Sequence, residues 1–158
     1  MIFCMAGAGR IFEGRAKEGI YMALEIVYLS PHELTPYENN TRKHNPSDID
    51  GIKKSIQDVG FRDPIGIWGK NNLIVEGHGR QLAAIELGME KVPCIRLDDM
   101  TEDQRKEYAI RHNRSAEMSE WDFDKLEEEL AALDIAGIDM SDLKFDLDAL
   151  NGGGCCRI

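Results

Sequence analysis

The sequence lacks the features that identify several common classes of protein. No apolar run approaches the roughly 20 residues that a membrane-crossing helix needs, so we expect no membrane partner. The cysteines include no pair at metal-binding spacing and comprise Cys4, Cys94, Cys155 and Cys156. Of these, Cys94 is expected to be a buried core thiol. Sparse, unpaired cysteines suit a reducing compartment, which predicts a cytoplasmic protein.

Basic residues are also scarce, and the deficit is uneven along the chain. The formal net charge is −10. Residues 22–100 carry 9 basic and 12 acidic side chains, whereas residues 101–150 carry 6 basic and 15 acidic ones. A protein that binds DNA on its own normally presents a basic face. We therefore expect any DNA contact to use the first half or another chain, and strong autonomous DNA binding is not predicted.

What remains is an ordinary globular composition, with 158 residues of which 42% are hydrophobic. Strand and helix patterns intermix, which predicts a small α+β fold with a mixed sheet and packed helices. Residues 1–21 have no clear period and read as a disordered or non-native extension, since Met22 resembles a natural start. We expect the main domain at 22–100, a helical extension at 101–134 and an acidic, poorly ordered tail at 135–158.

Local patterns predict four strands and four longer helices in these segments. β-Branched and apolar runs predict strands at Glu25–Leu29, Pro64–Trp68, Leu73–Val75 and Val92–Leu97. Capping signals and helical apolar spacing predict four helices. The first begins with a capping box at Ser47–Asp50 and ends at Gly60, and the second covers Gln81–Leu87. The third begins at Thr101, and the fourth is capped within Ser119–Asp122. A short helical turn is expected at Ser30–Glu33.

The stretch Leu73–Gly88 is the most informative part of the chain. A short strand leads through Glu76–Arg80, with two glycines, into a helix. Such a turn directs unpaired backbone N–H groups and the positive end of a helix dipole at one point, and Arg80 adds a planar, charged fork suited to phosphate. The residues alone also allow a plain strand–turn–helix, with Arg80 in solvent and His78 capping the helix.

With its flanks, this stretch resembles the ParB/sulfiredoxin superfamily, in the branch found in phage and mobile-element proteins. The resemblance covers roughly residues 25–133 and implies a ParB/sulfiredoxin-like fold. It rests on Asn39–Arg42, the helix that ends at Ser55–Gly60, Asp63–Ile65, Glu76–Arg80, Leu87–Gly88, Val92–Pro93, Asn113–Arg114 and Trp121–Asp122.

The resemblance implies a nucleotide site at the glycine turn. In ParB-type proteins the equivalent turn binds the triphosphate of CTP, and related free serine kinases carry a Gly-His-x-Arg turn that handles an adenine nucleotide. Sulfiredoxins hold a catalytic cysteine there, and because this chain has none between residues 76 and 81, sulfiredoxin activity is excluded. The implied nucleotide-binding residues are Arg42, Gly77, His78, Gly79, Arg80, Gln81, Asn113 and Arg114.

Two residues of the turn are candidates for catalysis, Glu76 as a base or Mg²⁺ ligand and His78 as a donor or proton relay. Glu76 could equally cap the turn. In the family an acid–asparagine pair helps to coordinate Mg²⁺, but here His112 precedes Asn113, which leaves metal binding to Glu76 or Glu117. Asn113 could equally end a helix.

The resulting hypothesis is a domain that binds CTP or ATP with Mg²⁺, as a slow NTPase switch in a DNA-associated role such as plasmid or phage partition or the regulation of DNA modification. The alternatives are a ParB-like nuclease, a small-molecule kinase of the free-serine type, and a scaffold that binds no nucleotide. Expected partners are the nucleotide, a DNA methyltransferase or partition protein, and a second copy of the chain, because the apolar stripes of the C-terminal helices need a partner surface.

Overall fold

The computed structural model describes residues 24–138 and residue 143. Its elements in chain order are β1 (Ile26–Leu29), a single 3-10 turn (Pro31–Glu33), α1 (Pro46–Val59), β2 (Ile65–Trp68), β3 (Leu73–Glu76), α2 (His78–Glu86), β4 (Val92–Arg96), α3 (Glu102–Met118) and α4 (Phe123–Ile135). The predicted extension at 1–21 and nearly all of the predicted tail lie outside the described residues, and the segment boundaries stay predictions. No described helix is long and apolar enough to cross a membrane.

The four strands form one mixed sheet in the order β1-β4-β2-β3. The outer pairs, β1 with β4 and β2 with β3, are antiparallel, whereas β2 and β4 run parallel at the centre. The fully buried side chains of the two central strands include Ile65, Ile67 and Val92. The predicted α+β class with a mixed sheet is therefore confirmed, and β2 and β3 form a hairpin.

Cys94 lies in this core, as predicted, and its thiol is free. Burial raises the pKa of Cys94 to about 11, which keeps the sulfur protonated and inert at neutral pH. The residue serves as a small hydrophobe beneath the sheet.

Helix ends follow the capping signals, with two corrections. Thr101 and Gln104 form the predicted box at the start of α3, and Gly60 ends α1 with a φ of 84°. The predicted start of α1 at Ser47 is wrong, because Pro46 takes the first helical position and Asn45 caps the helix instead. The cap of α4 is Asp122, the last residue of its predicted capping stretch.

The turn before α2 is shorter than predicted. Gly77 is the N-cap, in the left-handed region with a φ of 92°, and the helix begins immediately at His78. Gly79 and Arg80 therefore belong to the first helical turn. A Cβ atom on Gly79 would lie 2.9 Å from Cδ1 of Ile52, so the second glycine permits α1 and α2 to pack closely.

Helix α3 is docked on the sheet through a buried arginine. Arg105 is 2% exposed, and its guanidinium carbon lies 4.4 Å from the centroid of the Tyr37 ring and 5.5 Å from that of Trp68. The Trp68 indole donates from Nε1 to the carbonyl of Met100 at 2.9 Å. These cation–π contacts join the start of α3 to β2 and to the loop after β1.

Beyond this anchor, α3 continues through Asn113 to Met118, so Asn113 is not a helix end. In α4, Leu130 is buried and Leu126 and Leu133 are partly buried, whereas Glu127–Glu129 are exposed.

Candidate functional site

A cleft of about 380 Å³ opens beside the N-terminus of α2. Its walls come from α1, from the segment between α1 and β2, from the junction of β3 and α2, and from the middle of α3. Several charged side chains therefore meet there from parts of the chain that are far apart in sequence.

The positive end of α2 forms one wall of this cleft. The first backbone N–H groups of a helix have no partner within the helix, and the N-cap, Gly77, supplies no side-chain hydrogen bond to them. His78, Gly79 and Arg80 carry these groups, and all three residues line the cleft. Backbone donors and the helix dipole together make this wall a site for an anion.

Arg80 adds a fixed cation to the same wall. Only 17% of its side chain is exposed, and Nη1 is paired with the carboxylate of Asp63. The buried Nε atom makes no hydrogen bond in the described structure. Burial lowers the pKa of Arg80 from its usual value, but a guanidinium remains protonated in proteins. Arg80 therefore keeps an unused donor next to the helix N-terminus.

Glu76 closes the opposite side of the turn and is held by α3. Its Oε2 accepts a hydrogen bond from the Tyr108 hydroxyl at 3.0 Å and lies 3.0 Å from Nε2 of His112. A Cβ atom on Gly66 would lie 2.6 Å from Cγ of Glu76, so the glycine in β2 leaves the space that this side chain fills. Burial, reinforced by the charge of Glu76, raises the pKa of Tyr108 to about 12 and keeps the hydroxyl a donor.

His78 is a neutral imidazole with one nitrogen already used. Its Nε2 accepts a hydrogen bond from the backbone N–H of Tyr37 at 3.1 Å. Burial, and to a smaller extent the neighbouring His44, lower the pKa of His78. An accepting Nε2 places the proton on Nδ1, so that nitrogen is the one that could donate to a ligand.

The structure brings most of the predicted site residues to the cleft, although it tests none of their roles. The cleft is lined by Arg42, Glu76, Gly77, His78, Gly79, Arg80 and Asn113. Gln81 does not line it, because its 4% exposed side chain donates to the carbonyls of Pro31 and Leu34. Arg114 lies outside as well and pairs with Glu117 at 3.0 Å.

Sequence reasoning did not single out Arg62, His44 or Tyr108, each of which lies in or beside the cleft. Tyr108 and His112 are four residues apart on a predicted helix, which places them on the same helix face. This spacing could have indicated that the two side chains act together. Arg62 and His44 lie in segments that have no helical or strand periodicity, so no sequence pattern indicated that they belong to the site.

A second cavity of about 180 Å³ shares residues with the first, including Asn40, His78 and Asn113. It extends toward the loop that contains Asn39 and Thr41. Its lining is rich in amide side chains, each of which both donates and accepts hydrogen bonds.

The cleft does not fit the Mg²⁺ ion that the family resemblance implies. Within residues 24–138 and 143, no group of three or more His, Cys, Asp or Glu side chains could hold a metal ion. The two carboxylates that line the cleft, Glu76 and Asp63, are already engaged with Tyr108 and His112 and with Arg80. Glu117, the other candidate, pairs with Arg114.

Comparison with known proteins identifies relatives of this chain. No protein-family model matches the sequence. The ParB-like nuclease domain-containing protein YnaK of Escherichia coli (strain K12) is 39% identical over 83 residues, which are 52% of this chain and 94% of YnaK.

Among solved structures, the C-terminally truncated chromosome-partitioning protein ParB from Caulobacter crescentus, complexed with CTP-gamma-S, matches with a TM-score of 0.60. It is 17% identical, and the match covers 80% of this chain and 69% of that one. Sulfiredoxin from Arabidopsis thaliana matches with a TM-score of 0.42 and 21% identity, over 47% of this chain and 85% of that one. At such identities the ParB match establishes the fold alone.

Proposed function

The chain belongs to the ParB-like domain family of the ParB/sulfiredoxin superfamily, and from that premise we propose that it binds a nucleotide by its phosphates at the N-terminus of α2. One observation carries this proposal. The uncapped N-terminus of α2 and the partly buried Arg80 side chain, with its buried and unused Nε, lie on the same wall of one cleft.

The charges around this wall suit a phosphate group. Arg42 and Arg62 also line the cleft, so three arginine residues share it with the helix N-terminus. Guanidinium forks match the geometry of phosphate oxygens and bind them through paired hydrogen bonds. A phosphate bound here would take the backbone N–H groups of His78, Gly79 and Arg80 as well.

The adjoining second cavity offers room for the rest of a nucleotide. Asn39 and Asn113 line it, and amide groups of this kind can pair with the polar edge of a base, whereas the Asn40 amide already bonds the backbone of Arg42. The ParB structure with the same fold was obtained with CTP-gamma-S, which supports a nucleotide as the ligand class. CTP and ATP are the first nucleotides to test.

A thermal-shift panel of CTP, ATP, GTP and ADP tests the proposal on the wild type, Arg80→Ala and Arg114→Ala. A ligand at ~100 times its dissociation constant adds ~2.7 kcal/mol to the free energy of unfolding. We expect a shift with at least one nucleotide, its loss in Arg80→Ala and its retention in the matched control Arg114→Ala. No shift with any nucleotide would leave a scaffold or a DNA-only module.

Catalysis is the finer part of the proposal. Glu76 and His78 line the cleft in which we place the phosphate, and we propose them as the groups that a slow NTPase would use. Turnover that is lost in Glu76→Ala would make the protein an enzyme, whereas binding without product would make it a switch. The DNA-associated role and the methyltransferase or partition partner stay predictions from the resemblance, and the homodimer stays a prediction from the apolar stripes of the C-terminal helices.

A further inference from the structure

We infer that the cleft binds its nucleotide without a divalent cation, with arginine side chains in the place that a metal ion would take. This inference rests on the proposed function and concerns how the same site neutralises phosphate charge. It departs from the Mg²⁺ dependence that the family resemblance implies, because this chain's donor set does not fit the ion.

The carboxylates of the cleft carry the first argument. Mg²⁺ requires oxygen ligands at 2.0–2.1 Å in near-ideal octahedral geometry. Oε2 of Glu76 already has the Tyr108 hydroxyl and Nε2 of His112 at 3.0 Å each. A cation at that oxygen would have to displace both donors. Asp63 is paired with Arg80 through Oδ2, so its negative charge is already balanced by a guanidinium.

His112 carries the second argument. Its position precedes Asn113, and both residues line the cleft on α3. An acidic residue there would place two carboxylates side by side with an amide oxygen, which is a donor set that a hard cation prefers. The imidazole supplies a nitrogen directed at Glu76 instead. The imidazole already pairs with Oε2 of Glu76, so a metal ion at that oxygen would have to compete with it.

The cations of the cleft carry the third argument. Arg42, Arg62 and Arg80 line it together with the N-terminus of α2, against two engaged carboxylates. Guanidinium groups and backbone N–H groups stabilise the negative charge of a phosphate by donating hydrogen bonds to its oxygens. The arrangement therefore supplies the positive charge that a phosphate needs.

The test is a calorimetric titration of the full chain with CTP and with ATP, each in excess MgCl₂ and in excess EDTA. We expect dissociation constants that agree within about twofold between the two buffers, since no ligand contact involves the metal. An affinity at least about tenfold weaker in EDTA would overturn the inference and leave the proposed function standing. No heat in either buffer, with no thermal shift, would overturn both.

Two substitutions on α3 sharpen the test. His112→Glu creates the missing acidic ligand at a half-exposed position, where the fold should tolerate it. We expect this variant to acquire a preference for Mg²⁺ of about tenfold or more. Ser115→Glu adds the same charge to an exposed position of α3 outside the cleft, and it should stay indifferent to the metal. Equal behaviour of the two variants would contradict the role given to His112.

Discussion

A Cβ atom on Gly77 would lie 2.9 Å from both Nε and Nη2 of Arg80. The guanidinium of Arg80 thus rests directly on the backbone of the N-cap residue. Any side chain at Gly77 must push this group away from the helix N-terminus, and the φ of 92° adds backbone strain. The position of the Arg80 guanidinium, the proposed phosphate-binding cation, therefore depends on the absence of a side chain at Gly77.

Gly77→Ala should consequently abolish nucleotide binding and lower the free energy of unfolding by about 1–3 kcal/mol. Titration and urea unfolding measure the two effects. Gly88→Ala is the matched control, because Gly88 also has a positive φ of 66° but nothing lies within 4 Å of its Cβ position. The control should lose stability and keep its affinity. Equal loss of affinity in both variants would show that general destabilisation, not displacement of Arg80, is the cause.

Tyr108→Phe should weaken the attachment of α3 to the end of β3. The Tyr108 hydroxyl donates to a carboxylate that is 15% exposed, so its removal should cost about 1.5–3 kcal/mol in urea unfolding. Tyr28→Phe removes a hydroxyl from an exposed residue of β1 and serves as the control, with an expected change near zero. A change in Tyr108→Phe as small as in the control would mean that the Glu76 contact contributes nothing.

Acidification should destabilise the protein through His78. Because the folded pKa of His78 is lowered, the unfolded chain binds its proton more readily, and stability rises with pH between the two pKa values. The contribution is complete above about pH 6.5 and is lost as the pH falls toward the lowered pKa. Urea unfolding at about pH 7.5 and about pH 5.5 measures the difference.

His78→Gln keeps an acceptor for the Tyr37 N–H but cannot titrate, so this variant should lose less stability on acidification than the wild type. His32→Gln replaces an exposed histidine and should retain the slope of the wild type. An unchanged dependence of stability on pH in His78→Gln would contradict a neutral, partly buried imidazole at this position.

Arg105→Lys should destabilise the fold although it keeps the charge. An ammonium cannot stack over the rings of Tyr37 and Trp68 at once, so we expect a loss of about 1–2 kcal/mol in urea unfolding. Arg114→Lys is the control for the same change at an exposed position and should be close to neutral. If Arg105→Lys left the free energy of unfolding unchanged, Arg105 would contribute only by filling space.

Local signals predicted the strands and most helix ends, because short stretches of sequence are enough to specify these features. The β-branched run before Glu76, the Thr101–Gln104 box and Gly60 each specify one feature without help from distant residues. The start of α2 was misjudged because two glycines in Gly77–Gly79 resemble a loop. Only the packing of Gly79 against α1 explains why the second one lies in a helix.

The candidate site also has a part that short stretches of sequence predict and a part that depends on distant residues. Glu76–Arg80 are contiguous, so their meeting at one point could be predicted from the chain. The bond between Tyr108 and Glu76 spans 32 residues, and the burial of Arg105 depends on rings from two other segments. Gln81 shows the converse, since its polar side chain looked available but satisfies buried carbonyl groups.

The most direct test of phosphate binding at α2 is a ¹H–¹⁵N NMR titration of the wild type with CTP and with ATP. We predict that the largest shifts fall on the backbone amides of His78, Gly79 and Arg80 and on the Nε of Arg80. The chemical shifts of the same backbone amides should not change when Arg80→Ala is titrated with either nucleotide. Shifts confined to other parts of the chain, or none with either nucleotide, would contradict the account.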